Sequence, residues 1–152
     1  MAETHFVLRA PTPAHAEALA RLATQLGYPA DAASMPERLA RLAGDANARA
    51  FIACDGERVV GVITIHLRYT LNHAAPVAQI TLLVVDETVR SRGAGRALVE
   101  AAEGWARSCG AKRVAVTTAL DRAGAHAFYE RVGYVHTGRR YAKDFPKTAN
   151  EG

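Results

Sequence analysis

The β-branched and aliphatic run Ile80-Thr-Leu-Leu-Val-Val85 leads into Arg90-Ser-Arg-Gly93-Ala-Gly95, and a helical pattern starts within that segment and extends to Cys109. Leu98, Val99, Ala102 and Trp105 recur at the spacing of one helix face. A strand, a glycine turn and a helix in this order restrict the chain to an α/β arrangement in which the helix folds back onto its sheet. Glycines let the backbone come close to a ligand, and the unpaired N–H groups of a helix N-terminus suit an anion. Arg90, Arg92 and Arg96 add positive charge at the same point.

The other elements follow from periodicity and breakers. Phe6 to Arg9 reads as a short strand closed by Pro11 and Pro13, and Ala14 to Leu26 as a helix with Ala18, Leu19, Leu22, Ala23 and Leu26 on one face. Gly27-Tyr-Pro29 stops that helix, and a second runs from Met35 or Pro36 to about Ala43. Phe51 to Cys54, the Asp55-Gly56 turn and Val59 to Leu67 form a hairpin, followed by a strand from Ala78 to Val85. After the long helix come a strand from Arg113 to Thr118, a helix from about Ala123 to Val132, and a last strand from Tyr134 to Tyr141. The predicted fold is α/β: a mixed, mostly antiparallel central sheet in the order β-α-α-β-β-β-α-β-α-β, with helices on both faces.

Length and composition bound the function classes. The 152 residues, with 49% hydrophobic content, suit a single domain over 1–152 with a sizeable core. The net charge of +4 rests mainly on arginine, since lysine occurs only at Lys112, Lys143 and Lys147. That bias favours anionic ligands. The arginines are dispersed, without a basic run or interleaved aromatics, so a nucleic-acid partner is not expected. Cys54 and Cys109 have no metal-ligand or redox spacing and read as small buried hydrophobes in a reducing compartment; no metal is expected. No apolar stretch spans a bilayer, and Met-Ala-Glu-Thr-His lacks a basic n-region, so a cytoplasmic protein without membrane contact is expected.

Among phosphate-binding designs, a dinucleotide fingerprint requires a third glycine where Leu98 stands, and a P-loop requires Gly-Lys-Ser/Thr, which is absent. What remains is Leu83-Val-Val85-Asp-Glu-Thr-Val-Arg90-Ser-Arg-Gly93-Ala-Gly95. This segment resembles the acetyl-CoA pyrophosphate loop of the GNAT superfamily of N-acetyltransferases. Ala125-His-Ala-Phe128-Tyr-Glu-Arg-Val-Gly133-Tyr134 resembles the same family's C-terminal element, and the likeness covers roughly residues 4 to 143.

The resemblance implies an acetyl-CoA-dependent enzyme that acetylates a primary amine by direct attack in a ternary complex. It assigns Leu83, Val84 and Val85 to the pantetheine arm through their backbone. It gives the diphosphate to Arg90, Ser91, Arg92, Gly93, Ala94, Gly95 and Arg96. Tyr129 matches the tyrosine that protonates the departing thiolate in many members; its alternative is a packed aromatic with a satisfied hydroxyl. Thr81 and Thr117 stand where relatives often carry an acid, so the base is open among a water relay with Gln79, His66, His73 or His126 as helpers and an amine that arrives neutral. Arg122 replaces a frequent asparagine and reads as a phosphate contact or a solvated helix-start charge, and Asp121 as an N-cap.

Acceptor contacts are expected from Gln25 to Asp31 and Arg68 to Pro76, because loops vary on a fixed scaffold. Tyr28 suits a wall and Asp31 a cation contact, with packing and capping as their alternatives. The acceptor is expected to be a small molecule, with protein N-termini or lysines as the alternative. A non-catalytic acyl-CoA-binding module and a protein without ligand are the readings from other classes. Pairing through a free edge of the last strand would give a homodimer.

Overall fold

The computed structural model describes residues 5–117 and 123–147, which belong to two compact units divided between Val116 and Thr117. The first unit is built on a five-stranded sheet: β1 (Val7–Arg9), β2 (Ala48–Asp55), β3 (Arg58–Arg68), β4 (Val77–Val85) and β5 (Arg113–Val116). They lie side by side in sequence order. The first three pairings are antiparallel and β4 pairs with β5 in parallel. The parallel pairing is reached through the crossover helix α3 (Ala94–Ser108), as that connection requires. The sequence predicted this mixed, mostly antiparallel sheet.

Helices α1 (Ala16–Leu26) and α2 (Met35–Ala43) cover one face. Their residues Leu19, Leu22, Ala23, Met35 and Leu39 pack on Ile52, Val62 and Val84. Gly61 precedes Val62 and faces the opposite side, where a Cβ would stand 2.9 Å from Leu98 of α3. The helices therefore occupy both faces. Full burial of side chains such as Leu22, Ile52, Ile63 and Leu98 stabilises by roughly 1.5–3 kcal/mol each. The exposed Glu37–Arg41 pair on α2 adds only about 0.3–0.5 kcal/mol, so burial and not surface charge holds the layers.

Element ends follow the expected punctuation. Gly27 closes α1 in the left-handed conformation at φ 102°. The β2–β3 hairpin pairs Asp55 with Arg58, so its two turn residues are Gly56 and Glu57, one position beyond the expected Asp55-Gly56. Among the described residues, no helix is long and apolar enough to cross a membrane.

The second unit contains α4 (Ala123–Arg131), after which Gly133 adopts φ 99° and the Tyr134 amide donates to the Tyr129 carbonyl at 2.8 Å. The expected strand from Tyr134 to Tyr141 is not formed: residues 134–147 contain neither helix nor strand. Its apolar members Val135 and Tyr141 are exposed, and among the described residues no neighbouring strand supplies the backbone that a strand needs. Cys54 is buried as expected, whereas Cys109, at the C-terminal cap of α3, is exposed; the loss of helical periodicity at the cap turns it outward.

Candidate functional site

Among the described residues, the end of β4 is strand-paired on one side. Its pairing with β3 continues to Gly61↔Val85, whereas the pairing with β5 closes at Ile80↔Val116. Residues 82–85 thus extend past the last described partner on β5, with Val84 buried and Leu83 and Val85 half-buried. Backbone N–H and C=O groups on an unpaired strand edge are hydrogen-bonding groups that need a partner. Gly61 is needed beside it, because a Cβ there would come within 3.2 Å of the Val84 carbonyl oxygen.

Beyond Val85 the chain is pinned by Asp86, which is almost completely buried. Its amide donates to the Val60 carbonyl at 2.7 Å. Its Oδ1 accepts from the Thr88 amide at 3.0 Å and the Thr88 hydroxyl at 2.9 Å, fixing a single 3-10 turn over Glu87–Val89. Its Oδ2 accepts from Arg21 of α1 and, at 3.2 Å, from Arg58 of β3. The Thr88 amide does most to hold this carboxyl well below the usual carboxylate range; burial opposes it, and the Thr88 hydroxyl and Arg21 guanidinium lower it further. Sequence reasoning gave Asp86 no role, although Asp-x-Thr with this bonding pattern is a known turn former.

The loop then turns twice through the left-handed region, at Ser91 (φ 68°) and Gly93 (φ 92°). Successive turns of this kind orient backbone N–H groups into a concavity suited to anions. Gly93 is the N-cap of α3 and no side chain caps that terminus, so its first-turn amides point outward with the helix dipole behind them. A Cβ on Gly93 would meet nothing within 4 Å, so the glycine is required for its backbone angle. Buried Ala94 and Leu98 fix the helix to the sheet, while Arg90, Arg92 and Arg96 are exposed around its start. The predicted residues Arg90 to Arg96 are thereby brought to one place, directly after Leu83 to Val85.

Thr81, which the resemblance places where relatives often carry an acid, has its hydroxyl 2.7 Å from Thr64 Oγ1 and 3.0 Å from His66 Nδ1. His73 instead bonds Thr70 at 3.1 Å in the exposed loop. An open cavity of about 420 Å³, lined by residues including His73, Lys112 and Arg113, lies at the first residues of β4 and β5, the opposite end of β4 from Val85.

Tyr28 is exposed after α1. Asp31 accepts from the Ser34 amide at 2.8 Å, capping a 3-10 turn. In the second unit, half-buried Tyr129 makes edge contacts with the rings of Phe128 (5.4 Å) and Tyr134 (5.8 Å). His126, also half-buried, lies on the same helix, and Thr117 is exposed. Thr118, Asp121 and Arg122 lie outside the described residues.

Residues 16–134 match the family model described as the acetyltransferase (GNAT) family. The chain is 33% identical over 137 residues to an aminoglycoside N(6')-acetyltransferase type 1 of Stenotrophomonas maltophilia, a match covering 87% of this chain and 88% of that protein. It is 35% identical over 99 residues to an aminoalkylphosphonate N-acetyltransferase of Salmonella typhimurium, covering 65% of this chain and 64% of the relative's length. A solved aminoglycoside N-acetyltransferase in complex with CoA superposes with a TM-score of 0.81 at 19% identity, covering 93% of this chain and 95% of that one, a likeness of fold.

Proposed function

Because the chain belongs to the acetyltransferase (GNAT) family, we propose that this enzyme, as a single domain, moves acetyl from acetyl-CoA to a primary amine of a small molecule by direct attack. The observation that carries this reading is the Gly93-opened N-terminus of α3 placed straight after the end of β4, which among the described residues is paired on one side. A diphosphate fits the first: outward amides and exposed Arg90, Arg92 and Arg96 supply donors and charge. An extended amide-bearing arm fits the second, taking strand-like hydrogen bonds from Leu83, Val84 and Val85.

Acetyl transfer needs a held donor, a neutral amine and a proton for the thiolate. A backbone N–H near Val84 polarises the thioester carbonyl, and such fixed donors are most effective where charge develops. Tyr129, as the acid, returns a proton to sulfur. Tyr28 and Asp31 border the acceptor, the latter with one carboxylate oxygen already engaged as a cap. Two relatives are named for aminoalkylphosphonate and aminoglycoside acetylation, which makes small molecules with primary amines the acceptor class to test first.

Thermal unfolding with acetyl-CoA, CoA and NAD tests the donor site. A ligand that binds the native state at about 100 times its Kd stabilises by about 2.7 kcal/mol. For a chain of this size that is a rise in Tm of roughly 5–10 °C. The two CoA forms are expected to give it and NAD is not; equal silence from all three contradicts the assignment.

A further inference from the structure

The strand that carries Val84 contains an irregularity. Thr64 is opposite Leu82 and Ile65 is opposite Ile80, so Thr81 is an extra residue in β4 with no counterpart on β3. A bulge of this kind re-aims a side chain that regular pleating would direct elsewhere. Here the Thr81 hydroxyl lies between Thr64 Oγ1 at 2.7 Å and His66 Nδ1 at 3.0 Å, with the Thr64 carbonyl oxygen at 3.4 Å. Thr64 is buried, His66 is half-buried and Thr81 is exposed. The chain of hydroxyls thus begins within the sheet and reaches both an imidazole and the surface.

Thr81 precedes Val84 by three residues, about 10 Å along an extended strand. That distance accommodates a small amine, or an amine and one water. Neither threonine can retain a proton from an ammonium group, whereas an imidazole nitrogen with a free lone pair can. The register neighbours of His66 are Ala48 and Gln79, which do not titrate, and Arg68 follows on the same face of β3. The α1 and α2 side chains packed on this face include apolar Leu22, Ala23, Met35 and Leu39. The charged knot of Arg21, Arg58 and Asp86 lies at the opposite end of β3.

Resting on the acetyl-transfer reading above, we propose that His66, reached through the Thr81 hydroxyl, accepts the proton that the acceptor amine must lose before it attacks. Thr81 passes its own proton to His66 Nδ1 as it takes one from the ammonium, directly or through a water. The neutral nitrogen then forms the C–N bond while the C–S bond breaks. The nitrogen sheds a second proton, the thiolate gains one, and the imidazolium returns its proton to solvent. One proton is released per acetyl group moved. Thr64 is a positioning residue that orients the Thr81 hydroxyl.

The test measures thiol release from acetyl-CoA against pH, with 2-aminoethylphosphonate and kanamycin as amines, in wild type, His66→Gln, Thr81→Val and Thr81→Ser. Acetyl-CoA affinity is measured alongside. The expected result for His66→Gln is a loss of about 100-fold in kcat/KM at neutral pH, the scale of general-base assistance. Acetyl-CoA affinity is expected to hold, and the acidic limb of the profile to move up to the ionisation of the amine itself. Thr81→Val should reproduce that shift, and Thr81→Ser should restore the wild-type profile to within a few fold. An active wild type whose pH profile survives both His66→Gln and Thr81→Val overturns the role of His66 and leaves acetyl transfer intact. Wild type that binds acetyl-CoA but releases no thiol with either amine overturns the transfer reading and this inference with it.

Discussion

Arg21 and Asp86, 65 residues apart in sequence, are joined by a hydrogen-bonded ion pair that ties α1 to the end of β4. Arg21 also donates to the Val59 carbonyl at 3.0 Å, so one side chain bridges a helix, a strand end and the approach to the glycine loop. Nothing in this arrangement requires a ligand; the protein's own groups fix the residue that follows Val84 and Val85.

Replacing Asp86 by asparagine is expected to destabilise the protein by about 2 kcal/mol at neutral pH, the scale of hydrogen bonds to a charged group. The folded carboxyl is held far below its ordinary value of 3.8, so its contribution is complete above about pH 4 and is lost as the pH falls toward the folded value. Thermal unfolding of both proteins between pH 7 and pH 3 checks this, with the Tm difference expected to narrow below about pH 4.

Gly61→Ala inserts a methyl 2.9 Å from Leu98 Cδ1 and 3.2 Å from the Val84 carbonyl oxygen. Overpacking of this kind costs about 1–3 kcal/mol. Both Tm and acetyl-CoA affinity should fall, because the displaced carbonyl belongs to the strand end assigned to the pantetheine arm. In a Leu98→Ala background the substitution is expected to cost less, a non-additivity measurable by unfolding.

Much of this architecture was readable from local pattern. Apolar periodicity and glycine stops outlined α1, α2, α3 and the β2 to β4 meander to within a few residues, since those signals act over one or two turns of chain. The glycine loop was equally readable, because Gly93 declares its backbone angle in its residue type. The role of Asp86 depends on Arg21 and Arg58 arriving from distant elements, and the placement of Thr81 depends on an interstrand register. Neither leaves a periodic trace. Tyr134 to Tyr141 was expected as a last strand yet has no strand pairing among the described residues, the opposite failure.

Gly93→Glu is expected to lower CoA affinity at least tenfold. Gly93→Ala serves as the control for backbone strain, which at φ 92° amounts to about 1–2 kcal/mol. Titration calorimetry with CoA distinguishes them: the glutamate should add a large further loss through charge facing the diphosphate. Equal affinities in wild type and Gly93→Glu would remove the loop from the cofactor site.

Tyr129→Phe preserves the ring contacts with Phe128 and Tyr134 and deletes only the hydroxyl. A fall in kcat of about 100-fold with unchanged acetyl-CoA affinity is expected if that hydroxyl protonates the thiolate. Turnover at the wild-type rate across the pH range would assign Tyr129 to packing alone.

The most direct measurement is thiol release from acetyl-CoA by the purified protein in the presence of 2-aminoethylphosphonate, kanamycin and a panel of other small primary amines, with mass spectrometry of the amine. The predicted result is amine-dependent thiol release matched mole for mole by an N-acetylated product. Acetyl-CoA that raises the Tm while no amine in the panel yields thiol or acetylated product would contradict acetyl transfer to a small-molecule amine.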